Sequence, residues 1–258
     1  IVPYINWAYY YFAWGVHRQS DDEKLRLRAE AEAALERVEG RYQCYALFGI
    51  YDACSSGDDV LIRMPGRSEA PVSIPFLRQQ QPGSECLCLS DFISPVSDKI
   101  GLFATSVSHG LEMDFDTDPY DKMMMQLLAD RLAEATAERM HEEVRRQYWG
   151  YSPEEHLSVT DLHIEKFQGI RPAVGYPSLP DTSLNFLIDS VLDLGEIGIR
   201  LTESGAMKPH ASVSGFMISH PQSRYFSLGK IGEDQLLDYS RRRGLPVEVC
   251  RKFLAANL

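Results

Sequence analysis

No run of eighteen or more apolar residues occurs in the 258-residue chain, so no segment reads as a membrane-spanning helix. Basic residues are outnumbered: 26 Lys and Arg stand against 37 Asp and Glu, a formal net charge of −11. Phosphate backbones are bound by basic faces, so nucleic acid is not an expected partner. Cysteine is scarce and odd in number (Cys44, Cys54, Cys86, Cys88, Cys250), which argues against a disulfide framework and fits a reducing, cytoplasmic setting. Metal-ligand spacing is missing as well. The seven histidines form no H-x-x-x-H or H-E-x-x-H pair. Cys86 and Cys88 would share one face of a strand, but no second pair stands at zinc-ligand spacing, so they read as small core residues and no bound metal is expected. There is no G-x-G-x-x-G, no Walker loop, no G-x-S-x-G and no local Ser/His/Asp signature. No catalytic residue is therefore expected on this chain alone.

What is present is enough for a core, at 44% hydrophobic residues. The aromatic run Trp7 to Trp14 has no basic flank or small-residue cleavage site, and reads as a buried amphipathic helix or strand rather than a signal segment. Asp22 to Glu39 contains neither Gly nor Pro and predicts a helix with Leu25, Ala29, Ala33 and Val38 along one side. Five short apolar or alternating runs follow, Cys44 to Ala53, Asp59 to Met64, Val72 to Leu77, Cys86 to Phe92 and Ile100 to Val107, each bounded by turn residues. Consecutive strands without intervening helices predict antiparallel, meander-like pairing. The longest helix is expected from Pro119 to Trp149, with Met124, Leu128, Leu132, Thr136, Met140, Val144 and Tyr148 as a stripe lying on the sheet. Met123, Met124 and Met125 read as adaptable core filling. Glu134 points away from that stripe and, taken alone, is a solvated carboxylate beside Arg131 or Glu138. A short helix ending near Phe167 follows, then a helix begun by Asp181 or Thr182 and stopped by Gly195 and Gly198. The segment Ile199 to Leu228 reads as further β structure, and two helices split by Gly244 close the chain. No internal repeat or long linker appears, so one domain over residues 1–258 is expected.

The most distinctive stretch is Lys166 to Pro180, K-F-Q-G-I-R-P-A-V-G-Y-P-S-L-P. Pro172, Pro177 and Pro180 each remove a donor and fix φ, which predicts a stiff ordered loop. Such a loop holds Arg171 and Tyr176 at a set separation, and Gly175 lets a ligand approach the backbone. Arg171 offers a planar fork for a carboxylate or phosphate. The ordinary alternative is that Arg171 caps a helix end while Tyr176 packs on the core. The chain as a whole offers a candidate cradle for a small zwitterion: Arg171 for a carboxylate, acidic groups for an ammonium or sulfonium, and aromatic rings for a flat base or an organic cation.

Segment by segment, the chain resembles the activation (reactivation) domain of cobalamin-dependent methionine synthase. The family motif R-x-x-x-G-Y-P is matched by Arg171, Gly175, Tyr176 and Pro177. The likeness also takes in Y-I-N-W (Tyr4 to Trp7), L-R-Q-Q (Leu77 to Gln80), A-D-R-L-A-E-A (Ala129 to Ala135) and Y-W-G-Y (Tyr148 to Tyr151). It continues through L-T-E-S (Leu201 to Ser204), A-S-V-S-G (Ala211 to Gly215), S-H-P-x-S-x-Y-F (Ser219 to Phe226) and D-Y-x-R-R-x-G (Asp238 to Gly244). Motifs kept in order over nearly the whole length are far more specific than one loop match.

The resemblance implies an α+β fold, a twisted, mainly antiparallel sheet flanked by helices, that binds S-adenosylmethionine in a shallow groove at the sheet edge. Arg171 would hold the ligand carboxylate and Tyr176 would border the methyl-bearing end and the corrinoid. The backbone at Gly175 and Ser178 would approach the ligand, Glu134 would lie nearby, and Tyr225 and Phe226 would line the adenosyl side. The implied function is reductive methylation of inactive cob(II)alamin, with cobalamin carried by a partner domain or chain and the electron supplied by a reductase such as a flavodoxin. The chain would act as a fragment of a methionine synthase or in trans. Two other readings stay open: a docking module for another corrinoid methyltransferase, and a non-enzymatic relict of the fold. Asn6 stands where the family has aspartate, expected to meet the ligand amino group, so binding is expected to be weaker here. Gly205, Lys208 and His210 depart from the family's F-A-M-W-P-G run, on the surface expected to meet cobalamin.

Overall fold

The computed structural model describes residues 1–66, 70–116 and 118–258. Helix α1 (Trp7–Ala13) begins at Asn6, whose Oδ1 accepts from the Ala8 amide at 3.2 Å. The aromatic run is thus helical, but of its residues only Tyr10 is buried, while Tyr9 and Phe12 stand in solvent. Ser20 caps α2 (Asp21–Val38), and three acids occupy its first turn. Its buried face is Leu27, Ala31, Ala34, Leu35 and Val38 rather than the line through Leu25, which is exposed. The competing line offered only two alanines and one leucine before Val38, so the face with more apolar area went inward.

Strands β1 (Cys44–Ser56), β2 (Asp59–Arg63), β3 (Val72–Pro75) and β4 (Asp98–Val107) precede a short turn of helix, α3 (Gly110–Met113). Helices α4 (Pro119–Glu143), α5 (Val159–His163) and α6 (Leu184–Leu192) follow. The two-residue strands β5 (Arg200–Leu201) and β6 (Met207–Lys208) form a separate hairpin before β7 (Ser212–Met217), α7 (Glu233–Arg243) and α8 (Val247–Phe253). The main sheet has the order β3-β2-β1-β4-β7 with every pair antiparallel. Its spine is the ten-residue ladder from Cys44↔Val107 to Ala53↔Asp98. The expected strand Cys86 to Phe92 is not one. Cys86 takes φ 54°, which ends any extended run, and Leu89–Phe92 is a 3-10 turn closed by the Asp91 carboxylate on the Cys88 amide. As a result Cys86 is exposed and Cys88 buried, so the two thiols share no face.

Strand β4 is buried from Ile100 to Val107 because both of its faces are covered. Ile100, Leu102 and Ala104 enter one core with Val60, Ile62, Phe216 and α6, whereas Phe103 and Val107 enter another with α2 and α4. Helix α4 packs between the sheet and the α1–α2 pair, so Ala129, Ala133, Ala135 and Ala137 are buried together with the expected stripe. Alanines let α4 approach closely enough for Thr105 Oγ1 to donate to the Ala133 carbonyl at 3.0 Å. The stripe ends at Val144, since residues Val144–Tyr148 wind as a wider π turn and carry Tyr148 out to 56% exposure. Met124 and Met125 fill the core while Met123 is exposed. The α6 cap is Ser183, with Asp181 accepting from the Ser183 amide, and left-handed Asp193 ends the helix before Gly195 is reached. Helices α7 and α8 close a third core on Leu77 and Leu228.

Candidate functional site

The Arg171 stretch is stiff, as its prolines predict, but it is also paired. It runs along the free edge of β7, with Ile170 and Ile218 exchanging amide bonds at 2.9 and 3.0 Å. The Val174 amide then reaches the Ser214 carbonyl at 2.9 Å, and the Phe216 amide reaches the Pro172 carbonyl at 3.0 Å. Pro172 is tolerated because only its carbonyl faces the neighbour. Past this edge the chain reverses. Gly175, at φ 91°, opens a tight turn in which its amide bonds the Leu179 carbonyl at 2.8 Å, and the Leu179 amide returns to the Tyr176 carbonyl at 2.8 Å. The Pro177 carbonyl accepts from the Leu228 amide at 2.8 Å, which anchors the turn to the segment carrying Tyr225 and Phe226. The L-R-Q-Q motif supports that segment from behind: Gln79 Nε2 donates to the Ser227 carbonyl at 2.7 Å, and Arg78 is held by Asp58 and Asp91.

In front of the turn lies a cavity of about 660 Å³. Its walls include Asn6 and Tyr9 at the cap and first turn of α1, Arg131, Glu134 and Glu138 on α4, Glu165 just before the loop and Phe167 at its start. Arg171, Tyr176, Ser178, Tyr225 and Phe226 complete it. Seven of the eight sequence-predicted site residues therefore share one cavity. The eighth, Gly175, lines an adjoining hollow of about 450 Å³ on the far side of the Tyr176–Pro177 turn, where it sets the turn and does not face the larger space. Gly205, Lys208 and His210 line neither. Gly205 is buried in the β5–β6 hairpin, whereas Lys208 is exposed and exposed His210 sits 3.4 Å from the Asp130 carboxylate. Among the described residues no group of three or more His, Cys, Asp or Glu side chains is placed to hold a metal ion.

Arg171 is neither a helix cap nor a free surface cation. Its Nη1 and Nη2 meet the two Glu138 oxygens at 3.5 and 3.2 Å, Nη1 also donates to His141 Nδ1 at 3.2 Å, and its backbone amide donates to the Tyr225 hydroxyl at 2.8 Å. Guanidinium has five N–H groups. Among the described residues, its Nε–H and the second Nη2 hydrogen have no protein acceptor, and these two lie along one edge as a fork. Burial alone would lower the Arg171 pKa, but Glu138, then Tyr225 and Glu134, hold it above the ordinary value, so the fork stays charged. The half-exposed Tyr176 phenol donates to Glu134; burial and then that carboxylate push its pKa up, keeping it protonated. Desolvation also raises the Glu165 carboxyl, against a smaller opposing pull from Arg171. The cavity thus sets a cationic fork among three acids and several aromatic rings.

Glu138, His141 and Glu165 carry much of this geometry and were not singled out from the sequence. The signal was there for two of them, because Glu134, Glu138 and His141 recur at i, i+4 and i+7, one face of the long helix. Glu165 had none: it reaches the cavity through a left-handed backbone, φ 58°, that residue type does not foretell.

Five antiparallel strands with helices on both faces, and a proline-rich loop pairing with the edge of β7, make this an α+β chain of the reactivation-domain fold. It is similar to a solved structure described as the MetH reactivation domain bound to AdoHcy, with a TM-score of 0.91 and 36% sequence identity over all of this chain and 86% of that one. The family model for the activation domain of vitamin B12 dependent methionine synthase matches residues 1–244, and the chain belongs to that family.

Proposed function

We propose that the cavity binds S-adenosylmethionine and that the chain serves as the methyl-donor module for reactivating the cobalamin of a methionine synthase. The observation that carries this reading is the free edge of Arg171, a fork shaped for a carboxylate and set opposite acids in a hollow within the size range of small-molecule sites. The similar structure holding AdoHcy supports it. On this reading Arg171 takes the carboxylate, and Glu134, Glu165 and Asn6 surround the ammonium and sulfonium. Tyr225 and Phe226 flank the adenosyl group, the backbone at Ser178 meets the ligand, and Tyr176 borders its methyl-bearing end. Cobalamin, held by a partner domain, would supply the methyl-accepting metal, and an electron donor such as a flavodoxin would complete the reaction. This chain binds and orients the donor, and Tyr176, hydrogen-bonded to Glu134, stands neutral at the mouth. Calorimetric titration with S-adenosylmethionine and S-adenosylhomocysteine tests the reading: saturable binding is expected, and a flat thermogram would overturn it.

Asn6 supplies a sharper check. Aspartate caps helices as well as asparagine does, so Asn6→Asp keeps α1 while adding a negative charge to the cavity wall. Exchanging a neutral for a charge-assisted bond to the ligand ammonium is expected to tighten binding by about 1–2 kcal/mol, roughly five- to thirtyfold. Unchanged affinity in calorimetry would remove Asn6 from the ammonium contact.

A further inference from the structure

We infer that His141, fully buried behind the cavity wall, is a positioning residue that determines which edge of the Arg171 guanidinium is offered to a carboxylate. The inference rests on the proposed S-adenosylmethionine site and assigns a role to a residue that does not line the cavity.

Arginine cannot accept a hydrogen bond, so the 3.2 Å contact makes His141 Nδ1 the acceptor from Arg171 Nη1. The proton of the neutral ring is then on Nε2, which faces the Tyr151 hydroxyl at 3.4 Å. Burial, then the nearby charges of Arg145 and Arg171, hold the His141 pKa well below its ordinary value, so the acceptor lone pair is kept. The ring is packed on its buried side. Phe167 meets it edge-on with centroids 5.1 Å apart, and the Arg145 guanidinium carbon lies over the Phe167 ring, 4.1 Å from its centroid. Arg145 is itself locked by Glu155 at 2.6 Å.

Glu138 alone does not fix the guanidinium, because its two contacts, at 3.5 and 3.2 Å, both fall on the Nη1–Nη2 end and leave the second Nη1 hydrogen without an acceptor. His141 occupies the second Nη1 hydrogen. Both Nη1 hydrogens are then used, and the one pair of donors left together is the Nε–Nη2 edge. Without His141 a buried N–H loses its acceptor, and the guanidinium is free to rotate toward other partners in the cluster.

This role has a signature that a packing role lacks, since it depends on the ligand having a carboxylate. Calorimetry on wild type, His141→Leu and His141→Asn, each with S-adenosylmethionine and with its decarboxylated form, reads it out. His141→Leu is expected to weaken S-adenosylmethionine about tenfold or more while changing the decarboxylated ligand by less than about threefold. His141→Asn, whose amide oxygen falls near the Nδ1 position, is expected to restore most of the loss. Parallel losses on both ligands, or no loss on either, overturn the assignment. Should the leucine variant not fold, His141→Asn and His141→Gln decide, because glutamine carries its oxygen toward the Nε2 position: tighter S-adenosylmethionine binding by the asparagine variant upholds the proposal and equal binding defeats it. A wild-type protein that binds neither ligand overturns the cavity reading and this inference with it, whereas parallel losses in a binding protein overturn this inference alone.

Discussion

Alanine at Gly215 is expected to detach the Arg171 loop from the sheet, lowering stability by about 3 kcal/mol or more and weakening S-adenosylmethionine at least tenfold. A Cβ at this position would stand 2.2 Å from the Pro172 carbonyl oxygen and 2.9 Å from the Ala173 Cα, with Phe103 at 3.0 Å behind. Two of those neighbours are backbone, so a side-chain rotation cannot relieve the clash. Relief requires the loop to lift, which breaks the amide bonds from Phe216 to Pro172 and from Val174 to Ser214. Arg171 and Tyr176 flank those bonds and would lose their common cavity. For a domain of this size the expected drop in Tm is roughly 6–12 °C. Gly198→Ala is the control: its φ of 75° costs about 1–2 kcal/mol, but nothing lies within 4 Å of the added methyl, so ligand affinity is expected to hold. Thermal unfolding and calorimetry on both variants give the comparison. If Gly215→Ala melts and binds like Gly198→Ala, the edge-pairing account of the loop is wrong.

That loop also shows where residue patterns are informative and where they stop. Three prolines and two glycines announce a stiff segment, and the rigidity is real. They also argue against a helix or a central strand, yet the stretch pairs with the edge of β7, because an edge needs only the outward carbonyl of Pro172. The long helix was legible from the stripe through Met124, Leu128 and Leu132, and the structure adds its cap, Asp118, whose carboxylate accepts from the Tyr120 amide. Its buried face was read too narrowly. A four-residue stripe describes a helix with one neighbour, whereas α4 has the sheet on one side and α1 and α2 on another. In α2 the period was right and the face was wrong by two residues, since alanines count little in any pattern and Leu27 outweighed Leu25 only in the packed chain. C-L-C-L looks like a strand until the left-handed Cys86 is seen, and backbone handedness at a non-glycine residue leaves no mark in composition. Arg171, Tyr176 and Glu134 emerged from motif and chemistry together. Glu138 and His141 stayed hidden because their partner lies thirty or more residues away in the chain, and long-range pairing of polar groups is the least readable level of a single sequence.

The pairing of Arg171 with Glu138 separates what the fold requires from what the ligand requires. Both side chains are only 12% exposed, so removing one strands the other in a poorly hydrated wall. Arg171→Leu is expected to cost about 3–5 kcal/mol of stability, because Glu138 loses its guanidinium partner within that wall, and to weaken S-adenosylmethionine more than about a hundredfold through loss of the fork. Glu138→Leu is expected to be milder in binding, since His141 still holds Nη1 and the Nε–Nη2 edge survives. The double variant Arg171→Leu/Glu138→Leu is the informative one: with both charges gone, an apolar pair of similar volume is expected to recover most of the lost stability. Binding is not expected to return with it. Unfolding midpoints and calorimetric affinities for the three variants form a double-mutant cycle in which the two readouts must diverge. If affinity recovers in the double variant along with Tm, Arg171 only props up the cavity. If Arg171→Leu alone binds within about tenfold of wild type, the carboxylate lies elsewhere in the hollow. Divergence of the two readouts would mean that one guanidinium serves the fold with its Nη1–Nη2 end, through Glu138, and the ligand with its Nε–Nη2 edge.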